Sequence, residues 1–122
     1  MRKAGFKIVI VEDRADEAAL LRDLPERRGY GCVSIATGED CLDHLAREPV
    51  DLVITGIKMP GISGIDLCRE LESRYPQLPV IVLSGIADQT RAQAFAHVVK
   101  PAKLAVLEGA IRRALARESS DA

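Results

Sequence analysis

Five short runs rich in Val and Ile recur along the chain, at 7–11, 32–36, 51–55, 80–83 and 97–99. None alternates apolar with polar residues as a strand with one wet face would, so each reads as a parallel strand buried on both sides. Between them lie stretches with helical spacing, at 15–28, 39–47 and 64–74, a shorter piece near 89–95, and a final one at 102–117. Strand and helix alternating five times predict one parallel sheet with right-handed crossovers and helices on both faces. The 122 residues suit a single α/β domain, with a polar tail at 118–122.

Local signals agree with that frame. Thr37 with Asp40 and Ser63 with Asp66 have the spacing of helix-capping pairs. Gly29 can take the left-handed turn that ends the first helix, and Pro49, Pro76 and Pro79 punctuate helix-to-strand connections. Leu104, Leu107, Ile111 and Leu115 form one buried stripe, which leaves Arg112, Arg113 and Arg117 on a solvated face. Pro25 is the exception. Inside a helix it removes one hydrogen bond at a cost of ~3 kcal/mol, so a kink or early end is expected there.

Charge and cysteine usage narrow the function classes. A formal charge of -1 leaves no global field to recruit nucleic acid or an anionic membrane. Cys32, Cys41 and Cys68 are scattered, without a CxxC pair, which suits reduced thiols rather than a disulfide framework or zinc site. The apolar run near the N-terminus is too short for a signal peptide or a membrane span. A cytoplasmic protein is the expectation.

Ligands of such folds sit outside the carboxyl ends of the strands. Glu12 and Asp13 follow the first run, Gly56 the third, Ser84 the fourth and Lys100 with Pro101 the fifth, so all fall on one sheet edge. Adjacent carboxylates suit a hard divalent cation such as Mg2+. A lysine and a hydroxyl suit the oxygens of a phosphoryl group. Each residue also has a plainer role. Asp13 could cap the first helix, Ser84 a turn, and Lys100 could be ordinary surface.

The segments IVIVED, DLVITGIKMPGISGIDL, VIVLSG and VVKP together resemble the receiver domain of bacterial two-component response regulators. The resemblance covers nearly the whole chain and implies a flavodoxin-like, doubly wound, five-stranded parallel sheet of order 2-1-3-4-5. By position, Glu12 and Asp13 match the family's metal-binding acidic pair, and Lys58 the residue whose main-chain carbonyl completes that site. Ser84 matches the switch hydroxyl, Lys100 the phosphate-contacting lysine, and His97 the place usually held by a switch Tyr or Phe.

Two departures stand out. Gly56 occupies the place of the aspartate that accepts the phosphoryl group, and glycine offers neither nucleophile nor metal ligand. Thr55 does not replace it, because side chains alternate along a strand. A glycine there could instead serve a backbone with positive φ. The stretch between Ser84 and Lys100 is also about six residues shorter than the family's, roughly 9 Å of helix, so the fourth helix should be short or missing.

These features predict a non-enzymatic, atypical receiver that acts through protein binding, without an aspartyl phosphate at Gly56. The alternatives are an ordinary receiver whose acceptor Asp was replaced and, from another class, a flavin or nucleotide binder. Glu-Asp-Arg after the first strand repels phosphate and disfavours the last. Mg2+ binding should be weak, and no organic cofactor is implied. The implied partner is a histidine kinase or a downstream signalling protein, with a homodimer left open by the shortened segment. Neither nucleic acid nor membrane is expected to bind this domain.

Overall fold

Val- and Ile-rich segments with apolar side chains on both faces gain most where helices cover both sides of a sheet. The computed structural model describes residues 5–57, 59–84, 96–99 and 104–120. Its elements are β1 (Lys7–Val11), α1 (Ala15–Arg27), β2 (Gly31–Ile35), α2 (Gly38–Arg47), β3 (Leu52–Gly56), α3 (Gly64–Arg74), β4 (Val80–Ser84), β5 (Ala96–Val99) and α4 (Leu104–Ser120). The strands form one sheet in the order β2-β1-β3-β4-β5, and every neighbouring pair is parallel. The flavodoxin-like order expected from the sequence is the order observed.

Alternation along the strands sorts residues by size. Ile8, Ile10, Leu52, Ile54, Ile81 and Leu83 face one side and pack with Leu107, Ile111 and Leu115 of α4 and Leu21 of α1. Val9, Val11, Val53, Val80 and Val82 face the other and meet Cys41 and Leu45 of α2 and Leu67, Cys68 and Leu71 of α3. Each fully buried Ile or Leu contributes about 1.5–3 kcal/mol, so the central strands anchor the domain.

Helix ends follow the local signals. Thr37 Oγ1 accepts the Asp40 N–H at 3.1 Å and opens α2, and Ser63 Oγ accepts the Asp66 N–H at 3.1 Å and opens α3. α1 runs through Pro25 and ends two residues later, at Arg27. The Pro25 carbonyl accepts the Arg28 and Tyr30 N–H groups, each at 3.1 Å, and Gly29 takes φ 89°. The proline thus sits in the last turn, and the helix closes within one turn of it, as the early end expected from the sequence.

Several details depart from the sequence reading. β3 begins at Leu52 and includes Gly56. Asp51 instead turns its buried carboxylate onto the Lys7 N–H at 2.8 Å, tying the mouths of β1 and β3 together. α4 continues to Ser120, so residues 118–120 of the expected polar tail are helical; no Gly or Pro interrupts them. Asp13 does not cap α1: Arg14 holds the N-cap position, and its own side chain makes no capping bond. The expected helical piece near 89–95 lies outside the described residues, within the eleven residues that separate β4 from β5. Among the described residues no helix is long and apolar enough to cross a membrane.

Candidate functional site at the carboxyl edge of the sheet

β1, β3 and β4 deliver their last residues side by side. Val11 lies opposite Thr55, and Gly56 opposite Leu83. One residue beyond Val11, the Glu12 N–H donates to the Ile35 carbonyl at 2.9 Å and carries the β1–β2 ladder one step further. That bond holds Glu12 at the sheet edge with its side chain buried, 6% exposed, while Asp13 stands in solvent. Glu12 Oε2 accepts the Arg14 N–H at 3.2 Å. In the absence of a side-chain cap, this carboxylate serves the first turn of α1.

The other carboxylate oxygen faces position 56. A Cβ built on Gly56 would meet Glu12 Oε1 at 3.6 Å, an ordinary van der Waals distance, and no other atom of the described residues within 4 Å apart from its chain neighbours. Among the described residues the glycines with positive φ are Gly29 and Gly61, so the backbone at Gly56 does not require glycine. The positive-φ explanation therefore fails. Among the described residues a Cβ has room here, and glycine supplies none.

The opposite side of Gly56 is closed. Gly64, at the start of α3, donates its N–H to the Ile57 carbonyl at 2.7 Å. A Cβ on Gly64 would fall 1.8 Å from the Gly56 carbonyl oxygen, so only glycine lets α3 approach this closely. Thr55 is fully buried, and its hydroxyl donates to the Gly56 carbonyl at 2.9 Å, with Met59 Sδ at 3.7 Å. Its oxygen is engaged beneath the strand end rather than presented at the edge.

Glu12 and Asp13 also border an open depression of about 300 Å³ between β1, α1 and β2. Arg22 lies in its wall and donates to Ser34 Oγ at 2.7 Å. This cation is fastened to β2, and it brings positive charge to the rim of the acidic edge.

The structure thus brings Glu12 beside position 56, with Asp13 following it in the chain and exposed. Ser84 closes β4 opposite Val99, and His97 lies in β5 opposite Val82, both placed by their backbones. The side chains of Ser84 and His97, and Lys58 and Lys100 entirely, lie outside the described residues. Sequence reasoning missed Gly64. The signal was its position immediately after the capping Ser63, where a helix must start against a strand end.

The donor set does not fit a strongly held Mg2+. Among the described residues no three acidic, His or Cys side chains converge on a point. Glu12 spends one oxygen on a peptide N–H, Asp13 is exposed, and Gly56 donates nothing. Mg2+ releases its waters reluctantly and wants anionic oxygens in near-octahedral array.

Comparison with known proteins places these features. A model of the response regulator receiver domain matches residues 8–112. The chain is 35% identical over 123 residues to the transcriptional regulatory protein AfsQ1 of Streptomyces coelicolor, covering 93% of this chain and 54% of that relative. It therefore spans about half the length of this relative, and less of several others it matches. Among solved structures, a response regulator receiver domain protein of Clostridium thermocellum superposes with a TM-score of 0.89 at 28% identity, covering 96% of this chain and 99% of the other. The response regulator TrrA of Thermotoga maritima, solved in complex with Mg2+ and BeF, gives a TM-score of 0.82 at 27% identity over 90% of this chain and 99% of the other. TrrA has also been solved in complex with the histidine kinase ThkA, with a TM-score of 0.80 over 90% of this chain and 98% of the other.

Proposed function

Because the chain belongs to the response regulator receiver domain family, we propose that it is an atypical receiver in two-component signalling, one that takes no aspartyl phosphate at position 56. The single observation behind this is Gly56 itself. It sits at the carboxyl end of β3, beside Glu12, where a Cβ would meet only ordinary contact among the described residues and none is present. Without a carboxylate there is no nucleophile for a phosphoryl group and no third anionic ligand for a metal. Glu12 and Asp13 then hold Mg2+ weakly, and Ser84, Lys100 and His97 remain as positions inherited from a phosphoryl-contact and switch set. The Lys58 main-chain carbonyl completes that inherited set on the metal side.

Such a module signals by binding, with no enzymatic activity of its own, as a single receiver-like domain of the cytoplasm. A histidine kinase is a fitting partner, since TrrA, of similar fold, forms a complex with ThkA. A downstream signalling protein or a second copy of the chain is the other choice. No role for nucleic acid through this domain or for a membrane is proposed. The test is incubation with acetyl phosphate and Mg2+ followed by intact-mass measurement. No phosphoryl adduct is expected. A stoichiometric adduct mapped to an aspartate or glutamate would overturn the reading.

One observation favours a second reading, an ordinary receiver whose acceptor Asp was replaced. Among the described residues, its chain neighbours apart, the Gly56 backbone accepts a Cβ without any contact closer than 3.6 Å, as an aspartate at this position would need. Gly56→Asp separates the two readings, with the outcome given below at the residue scale.

A further inference from the structure

The loop that leaves position 56 is fastened from a second direction. Its far half, Gly61 and Ile62, lies against the first turn of α2. Glu39 Oε2 accepts the Ile62 N–H at 3.0 Å. The same carboxylate fills the space beside Gly61, where a Cβ would lie 2.5 and 2.6 Å from its two oxygens. Gly61 has φ 79°, so it is glycine for two reasons, the backbone conformation and the seat of this carboxylate. The Ile62 side chain in turn covers Gly38, whose Cβ position lies 2.6 Å from Ile62 Cγ1. Three independent contacts, one charged, one steric and one apolar, thus meet between the start of α2 and a single turn of loop.

The near half of that loop is held as firmly. Gly64 donates to the Ile57 carbonyl, and α3 starts directly against the Gly56 carbonyl. The loop between Gly56 and α3 is therefore tied at both ends, to α2 at Ile62 and to the end of β3 through Ile57. A shift of either end has little slack to absorb it.

We propose that Glu39 is a positioning residue for this edge: its carboxylate locks the loop after position 56 to the N-terminus of α2, so the acceptor end of β3 and the first turn of α2 move as one unit. The bond to the peptide N–H needs an acceptor oxygen within hydrogen-bond distance, and whether one arrives there depends on the reach of the side chain at position 39. The latch itself is a property of this chain. Its effect on metal binding rests on the receiver reading of Glu12, Asp13 and position 56.

Reach and charge can be separated by substitution. Glu39→Gln keeps the reach and an acceptor oxygen, Glu39→Asp keeps the charge and loses the reach, and Glu39→Ala loses both. Amide hydrogen exchange of Ile62 and Gly64 is followed in the full chain, with β1 amides as the control for global stability. The expected result is about tenfold faster exchange at both amides in Glu39→Ala and Glu39→Asp, with β1 unchanged and Glu39→Gln close to the parent. In a Gly56→Asp background the same two variants should weaken Mg2+ binding several-fold and Glu39→Gln should not. Unchanged exchange in Glu39→Ala, faster exchange at Ile62 alone, or Glu39→Asp behaving like the parent would each overturn the latch. If Gly56→Asp with native Glu39 shows no Mg2+ binding, the receiver reading of the carboxylates fails, and exchange at Ile62 and Gly64 still decides the latch.

Discussion

Gly56 is the residue on which the chemistry turns. From sequence its place at a strand end is legible, because an apolar run leads into it and a Lys-Met-Pro turn follows. What sequence leaves open is whether the backbone needs glycine, and the structure answers that it does not. Gly56→Asp would therefore place a carboxylate a few ångström from Glu12 Oε1. Two like charges at about 4 Å repel by roughly 1–4 kcal/mol near a protein surface, so the metal-free variant should melt below the parent. Mg2+ bridging Glu12, Asp13 and the new carboxylate should recover that loss by mass action, an effect nearly absent in the parent. Melting temperature with and without millimolar Mg2+, in both proteins, is the measurement. If the variant gains neither metal-dependent stabilisation nor an adduct with acetyl phosphate, the edge is a relic, and an ordinary receiver with a replaced Asp is ruled out.

At the scale of elements, α3 is placed by one absent methyl group. The Cβ of an alanine at position 64 would collide with backbone, the Gly56 carbonyl, which cannot rotate aside as a side chain can. Gly64→Ala should then push α3 off the end of β3 and cost about 3 kcal/mol, seen as a lower urea midpoint. Gly38→Ala is the instructive control. Its Cβ would press on the Ile62 side chain, which can turn, and meet Leu67 Cβ at an ordinary 3.7 Å, so its cost should be clearly smaller. A Gly64→Ala chain as stable as the parent would mean that the close approach is not real. The element pattern was readable because Val and Ile runs and capping residues act locally. The fate of Pro25 was readable only in part, since its cost depends on how many turns remain beyond it.

The whole molecule carries a pH dependence in its thiols. Burial pushes the Cys41 thiol up to about 12 and the Cys68 thiol to about 11, the latter helped by the charge of Glu72. Cys32, half-buried on β2, is raised to about 11 by burial first and by Glu26 second, against Arg22. A thiol is neutral when protonated, and the ordinary value is 9.0. As pH rises past that value the unfolded chain loses these protons first, so the folded state binds more of them. Stability is thus complete below pH about 9 and falls as pH climbs toward the folded values, by up to ~1.4 kcal/mol per pH unit for each thiol. The urea midpoint at pH 8 and pH 10, compared between the parent and Cys41→Ala with Cys68→Ala, checks this. The parent should lose more between the two pH values; equal losses would contradict it.

By itself the sequence determined the alternation of strands and helices, the parallel sheet, and the row of strand ends at one edge, Gly56 among them. Each depends on residues near one another in the chain, or on the rule that consecutive β-α-β units wind the same way. Tertiary structure alone decided the rest. It set Glu12 Oε2 on the Arg14 N–H, aimed Oε1 at an open place beside Gly56, turned the Thr55 hydroxyl onto the Gly56 carbonyl, and brought Glu39 to Ile62. Hydrogen bonds and van der Waals contacts act over a few ångström, and which atoms come that close is set by how α1, α2 and α3 pack on the sheet, a relation that residue spacing does not encode.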